Sequence, residues 1–245
     1  MIHIITSFYV LEEKNENSIE RNKEIEQSLI KNYQSPNVSN IHLFVDDEKA
    51  FDKLKTIIEM SNDKENMKNK IIVVSIGKQP TYGDLFLYAC QALKDKIVMI
   101  ANSDIYLHEC DLECLKNISE NVFALTRYEH DLSYPLIETM RQKKWASHDA
   151  FIFQSPLTKI KLKNFIPKIN HYQNTWGSEH IIIDRLIENK YQLFNPCYQI
   201  KIVHLHASEL RDKDRQRVSH NKYFICPSEY KSIENNLKNA ILSTI

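Results

Sequence analysis

In the first half of the chain, short β-branched runs alternate with amphipathic helical stretches, and this alternation constrains the fold more than any other feature. Ile2 to Tyr9 is a short, β-prone apolar run. Ile19 to Tyr33 then carries apolar residues at Ile19, Ile25, Leu29 and Ile30, a helical stripe with charges opposite it. Ile41 to Val45 is a second strand, stopped by Asp46 and Asp47. Phe51 to Met60 reads as a helix and Ser61 to Lys70 as a polar loop. Ile71 to Ile76 is a continuous β-branched run, which predicts a strand buried on both faces. Asp84 to Leu93 reads as a helix, and Ile97 to Ala101 as another buried strand. The order βαβαβαβ is that of a parallel sheet covered by helices.

The second half is less regular. Val122 to Tyr128 and Ala150 to Phe153 are strand-like, with irregular stretches from Glu129 to Lys144 and from Pro156 to Thr175. Glu179 to Asn189 reads as a helix introduced by Gly177-Ser178, and Tyr198 to His206 alternates as a strand. Arg211 to Arg217 is a charged loop, and Ser228 to Leu242 reads as a terminal amphipathic helix. With no repeat or linker, the expectation is one α/β domain over residues 1–210 and an extension, 211–245, packed on it.

Composition removes several functions. The 245 residues include only 3 glycines, Gly77, Gly83 and Gly177. No pair of them fits a Walker phosphate loop, a Rossmann fingerprint or a hydrolase nucleophile elbow. Any nucleotide must therefore be held without a glycine-rich loop. Lys plus Arg equals Asp plus Glu at 32 each, so no basic field collects nucleic acid or an anionic membrane. No apolar run approaches a membrane span, and Met1 to Tyr9 reads as a strand, not a signal peptide. The five cysteines are odd in number and scattered, which fits reduced, mostly buried thiols in a cytoplasmic protein.

Four stretches carry candidate chemistry. A buried strand runs into Asn102-Ser103-Asp104, at the end of the sheet where open α/β folds bind ligands. Asp104 there could hold a divalent cation, or the three residues could form a simple turn. His204 and His206 fall on one face of a strand, as metal or phosphate contacts or as structural histidines. Glu179 follows Gly177-Ser178 in a first helical turn, as a general base or as an ordinary N-terminal acid. Asp149, ahead of the strand from Ala150, is a second acid that could face the site or end a turn.

In this order the stretches resemble the GT-A-type nucleotide-sugar glycosyltransferases, over roughly residues 2 to 210. Thr6-Ser7-Phe8-Tyr9 is similar to the family's nucleotide-binding start. Gln79-Pro80-Thr81-Tyr82-Gly83-Asp84-Leu85-Phe86 resembles a segment beside the nucleotide in a small branch found in algae, microbes and large DNA viruses. Asn102-Ser103-Asp104 stands at the Asp-x-Asp metal motif, with Asn102 replacing the first acid. Trp176-Gly177-Ser178-Glu179 resembles the turn before the base of inverting members, and His204-Leu205-His206-Ala207-Ser208 the late metal histidine.

The resemblance implies a single GT-A-like, Rossmann-like domain with a central, mainly parallel sheet and a C-terminal helical extension. It implies sugar transfer, with inversion, from a nucleoside diphosphate donor, UDP favoured, to a hydroxyl of a glycan or glycoconjugate. Mn²⁺ or Mg²⁺ would sit on Asp104 and His206, with His204 as second choice. Glu179 would be the base, with Asp149 the alternative. Thr6, Ser7, Phe8, Thr81 and Tyr82 would meet the nucleoside, and Arg21, Lys78 and Arg127 phosphate or acceptor. The location expected is the cytoplasm, that of the host for a viral member. Two other readings stay open: a sugar-1-phosphate nucleotidyltransferase, against which Ile4 to Leu11 lacks a glycine, and a non-catalytic nucleotide-sugar-binding protein, which Asn102 keeps open.

Overall fold

The structure, a computed structural model, describes residues 1–116, 118–129, 147–173, 175–206, 208, 217–219 and 225–230. The helix expected over Ser228 to Leu242 falls outside these residues beyond Tyr230, as does the charged loop at 211–216.

The seven-stranded sheet has the order β3-β2-β1-β4-β8-β6-β9. Strands β1 (Ile2–Phe8), β2 (Val38–Val45), β3 (Ile71–Ser75) and β4 (Ile97–Ala101) are mutually parallel, as the alternation predicts. β8 (Ala150–Gln154) pairs antiparallel with both β4 and β6 (Asn121–Leu125), and β9 (Gln192–Phe194) runs parallel to β6. A second, three-stranded sheet has the order β5-β10-β7, from Ile105–Cys110, Ile200–His204 and Arg127–Glu129. The run Val122 to Tyr128 is thus two strands, one in each sheet.

The pleat of the large sheet sorts its side chains into two cores. Met99 and Ala101 of β4 face the cluster under α1 (Glu16–Gln34), α2 (Glu48–Met60) and α3 (Lys64–Lys70). Val98 and Ile100 face the cluster under α4 (Tyr82–Ala92), α5 (Leu162–Phe165) and α6 (Ser178–Glu188). The helices start where sequence supplies caps. Asn15 and Ser18 form a capping box on α1, and Thr81 and Asp84 form one on α4.

Two expectations change. Ser61 to Lys70 is not all loop, because Lys64–Lys70 closes into a short helix that buries Met67. β3 is not buried on both faces. It is an edge strand with Ile72 and Val73 exposed at 38% and 37%, since β-branched content reports strand formation and not position in the sheet. The cysteines are free, with Cys226 exposed. Among the described residues, no helix is long and apolar enough to cross a membrane.

Candidate functional site

The strand order reverses beside β1, between β2 on one side and β4 on the other, and a cavity of about 730 Å³ opens beyond the carboxyl ends of these strands. Ser7 to Leu11 after β1, Phe44 and Asp46 at β2, and Asn102 to Asp104 after β4 line it. From the other half of the chain come Ser147 to Asp149, Gln173, Trp176, Gly177, Glu179, His204 and His206.

Asp104 sits where β4 passes into β5, buried at 5% exposure. Its Oδ2 accepts from Arg21 Nη1 at 2.7 Å and lies 3.0 Å from His204 Nε2. Burial alone would raise this carboxyl, yet the charges of His204 and Arg21 hold it far below the usual carboxylate range. Burial likewise disfavours a charged His204, but Asp104 and a 3.3 Å contact with Glu129 outweigh it and hold the ring at about 9. Glu129 is in turn held at about 2, first by its hydrogen bond with His204, against burial, and then by Arg127. His206 stacks on His204 with ring centroids 4.9 Å apart and planes 16° apart. Burial and the neighbouring His204 charge lower its pKa.

One ligand atom each from Asp104, His204 and His206 lies within 4.8 Å of the others. The residues fit a divalent cation on a further observation: Asp104 Oδ1 and His206 Nδ1 are buried without a hydrogen-bond partner. A carboxylate and two imidazoles form a donor set for a divalent first-row metal ion. Across the cavity, Asp149 is saturated. Arg127 Nη1 lies 3.0 Å from both of its oxygens, Ser147 Oγ donates at 2.5 Å, and Asn102 Nδ2 donates at 3.3 Å. Among the described residues, no cation pairs with Glu179. Gly177 takes a left-handed φ of 89° at the N-cap and turns the chain so that Glu179 starts α6 facing the cavity. Ser178 does not cap; its hydroxyl donates to the Thr175 carbonyl at 2.7 Å. Burial and the Asp149 charge push the Glu179 carboxyl up to about 7.

Of the expected residues, the cavity brings together Ser7, Phe8, Arg21, Asn102, Ser103, Asp104, Arg127, Asp149, Glu179, His204 and His206. It does not take in Thr6, Lys78, Thr81 or Tyr82. Thr81 caps α4 and Lys78 pairs with Asp84 at 2.9 Å. Thr6 is buried in β1, and Tyr82 lies beneath the floor at 1% exposure. Asn102 also points inward, accepting from Tyr82 Oη at 3.0 Å and from Gln173 Nε2 at 3.3 Å. Sequence reasoning missed Gln173, which has no motif around it. The loop reaches the site because Tyr82 N donates to the His171 carbonyl at 2.9 Å. It also missed Glu24, which accepts from Arg21 at 2.9 Å and holds Ser208; the i,i+3 spacing on one helix face was the available signal.

No family model matches the chain, and no curated protein matches it in sequence. Among solved structures it is similar to the mannosyltransferase PcManGT from Pyrobaculum calidifontis, solved with GDP-Man and Mn²⁺. The TM-score is 0.48 at 10% identity, over 86% of this chain and 57% of that one, so the chain spans little more than half of that enzyme's length. It is also similar to a proposed nucleotide-diphospho-sugar transferase from Desulfovibrio desulfuricans, with a TM-score of 0.42 at 10% identity over 79% of this chain and 78% of that one. Likeness at this level assigns no activity, and the functional reading rests on the cavity itself.

Proposed function

We propose that this chain is a metal-dependent, inverting glycosyltransferase that moves a sugar from a nucleoside diphosphate donor to a hydroxyl of a glycan or glycoconjugate. The observation that carries the proposal is one cavity with two unlike acidic centres. Asp104 is held ionised among two histidines and an arginine, and Glu179 is held near neutrality by burial and Asp149. Pairs of titratable groups whose surroundings push them apart divide acid–base labour in this way. A non-catalytic binding module has no need of the second centre.

Asp104, His206 and His204 would hold Mn²⁺ or Mg²⁺, and the bound ion supplies Lewis-acid neutralisation of the leaving diphosphate. Arg21 fixes Asp104 from α1 and adds positive charge at the same wall. Ser7, Phe8 and Phe44, at the carboxyl ends of β1 and β2, face the part of the crevice where a nucleoside lies in open α/β sheets. UDP is the nucleotide proposed, on the resemblance of the β1 end and of the Gln79 to Phe86 segment. Glu179 accepts the acceptor's hydroxyl proton as its oxygen attacks the anomeric carbon. The bond to the diphosphate breaks on the opposite face, which inverts the centre. Asp149, bonded to Arg127 and Ser147, helps to raise the Glu179 carboxyl and so makes it basic enough to take that proton.

Incubation of the purified protein with UDP- and GDP-sugars and a mixed glycan acceptor panel, with and without Mn²⁺, tests the reading. Metal-dependent release of nucleoside diphosphate with anomeric inversion is the expected result. If no nucleotide sugar is bound or turned over under any metal condition, the proposal fails.

A further inference from the structure

The first acid of the Asp-x-Asp pattern is an amide in this chain, and the structure shows what the amide does. Asn102 Nδ2 donates to Asp149 Oδ1 at 3.3 Å, while Asn102 Oδ1 accepts from Tyr82 Oη at 3.0 Å and from Gln173 Nε2 at 3.3 Å. Gln173 is oriented by its own contacts, donating to the Ala101 carbonyl at 2.9 Å and accepting from Ser7 Oγ at 2.9 Å. A carboxylate at position 102 has no proton to give Asp149 and would add a third negative charge to the cavity floor. The Tyr82 hydroxyl lies between Asn102 Oδ1 at 3.0 Å and Glu179 Oε1 at 3.4 Å. It has one proton and two acceptors.

We propose that Asn102 and Tyr82 form a positioning relay for Glu179: the Tyr82 hydroxyl donates to Asn102 when Glu179 is protonated and turns to donate to Glu179 when it is ionised. This rests on the reading of Glu179 as the base and extends it. Tyr82 is buried under the floor, and Asn102 lines the cavity with both ends of its amide engaged by protein groups. A protonated Glu179 offers the Tyr82 oxygen a donor, which frees the tyrosine proton for Asn102. An ionised Glu179 offers an acceptor at no cost of rearrangement beyond rotation of one hydroxyl. Among the described residues, the other groups that shift the Glu179 carboxyl are Ser178 and its own backbone amide, which favour the ionised form, and Asp149, which opposes it, while His148, His180 and Arg217 line the same cavity. Arg127 pairs with Asp149 at 3.0 Å. No further titratable partner is needed. The relay gives Glu179 a hydrogen bond that appears as it becomes a base, so proton uptake from an acceptor hydroxyl and return of the Tyr82 proton to Asn102 are one motion. Proton count is conserved: the hydroxyl proton ends on Glu179, and the tyrosine keeps its own.

The two partners pull on Glu179 in opposite senses, and that distinguishes a relay from structural support. Tyr82→Phe removes the donor to ionised Glu179, so its titration midpoint rises. Asn102→Ala removes the competing acceptor, so Tyr82 donates to Glu179 full time and the midpoint falls. Each change is about half to one pH unit, the size expected for loss or gain of one hydrogen bond. The readout is the carbon-13 chemical shift of the Glu179 carboxyl in glutamate-labelled full-length protein, assigned by its loss in Glu179→Gln, with thermal melts to confirm that each variant is folded. Asn102→Val is the second variant should alanine not fold; an apolar side chain offers the Tyr82 hydroxyl no acceptor, and the midpoint falls. Opposite shifts establish the relay. Shifts of one sign in both variants, or none in either, overturn it. Because the titration needs no substrate, opposite shifts without sugar transfer would leave the relay standing and remove the transferase reading. Transfer without the shifts would do the reverse.

Discussion

Glu179 begins α6 with its carboxyl toward the cavity and an acid, not a base, as its nearest charged neighbour among the groups that set its pKa. The role of base proposed for it requires that it be ionised, and burial, then the Asp149 charge, holds it protonated below about 7. The acidic limb of the kcat profile is expected near pH 7, with activity rising as pH rises through it. Glu179→Gln should lower kcat by about 10²–10⁴-fold, the range for a lost general base, while donor affinity measured by calorimetry stays unchanged. An equal loss in Asp149→Asn with Glu179→Gln near wild type would move the base to Asp149. The residue types at Asp104, His204, His206 and Glu179 were legible in sequence because strand ends and a glycine turn locate them. The inward role of Tyr82 was not legible, since a tyrosine in the first turn of a helix reads the same whether its hydroxyl meets a ligand or an asparagine.

At the scale of elements, the first helical turns and strand ends do most to place the site. Gly177 holds φ at 89°, a conformation that costs a side-chain-bearing residue about 1–2 kcal/mol. Gly177→Ala is expected to lower the stability by about that much in urea titration and to lower activity further, because it re-aims Glu179. A second element-level feature lies away from the cavity. His42 of β2 meets His3 of β1 at 3.2 Å and Tyr88 of α4 at 2.9 Å. Burial, then the neighbouring His3, lowers its pKa to about 4. The folded state thus binds fewer protons than the unfolded chain between about 6.5 and about 4. Its stabilisation is complete above that window and is lost as pH falls through it, on the order of 2–3 kcal/mol. His42→Phe should flatten the fall in melting temperature between pH 6.5 and 4; an unchanged slope would assign the acid sensitivity elsewhere. Strands and helices of the first half were legible because period and caps are local. The reversed direction of β8 and the edge position of β3 depend on which strands pair, and no local pattern in Ala150 to Gln154 or Ile71 to Ser75 records that.

For the whole molecule, the chain brings residues from both halves to one crevice, so ligand binding and global stability are linked. A nucleoside diphosphate with Mn²⁺ at about a hundredfold its Kd adds about 2.7 kcal/mol, or about 5–10 °C in Tm. The rise should vanish in EDTA and in Asp104→Ala. A rise that survives both would remove the metal from the account.

The Asp104, His204 and His206 cluster also spans a structural seam. Asp104 lies in the turn between β4 of the large sheet and β5 of the small one, and His204 ends β10 in the small sheet. The Asp104 carbonyl already accepts from Leu205 N at 2.9 Å. An ion held by these residues, as proposed, would cross-link the large sheet and the small one at their junction.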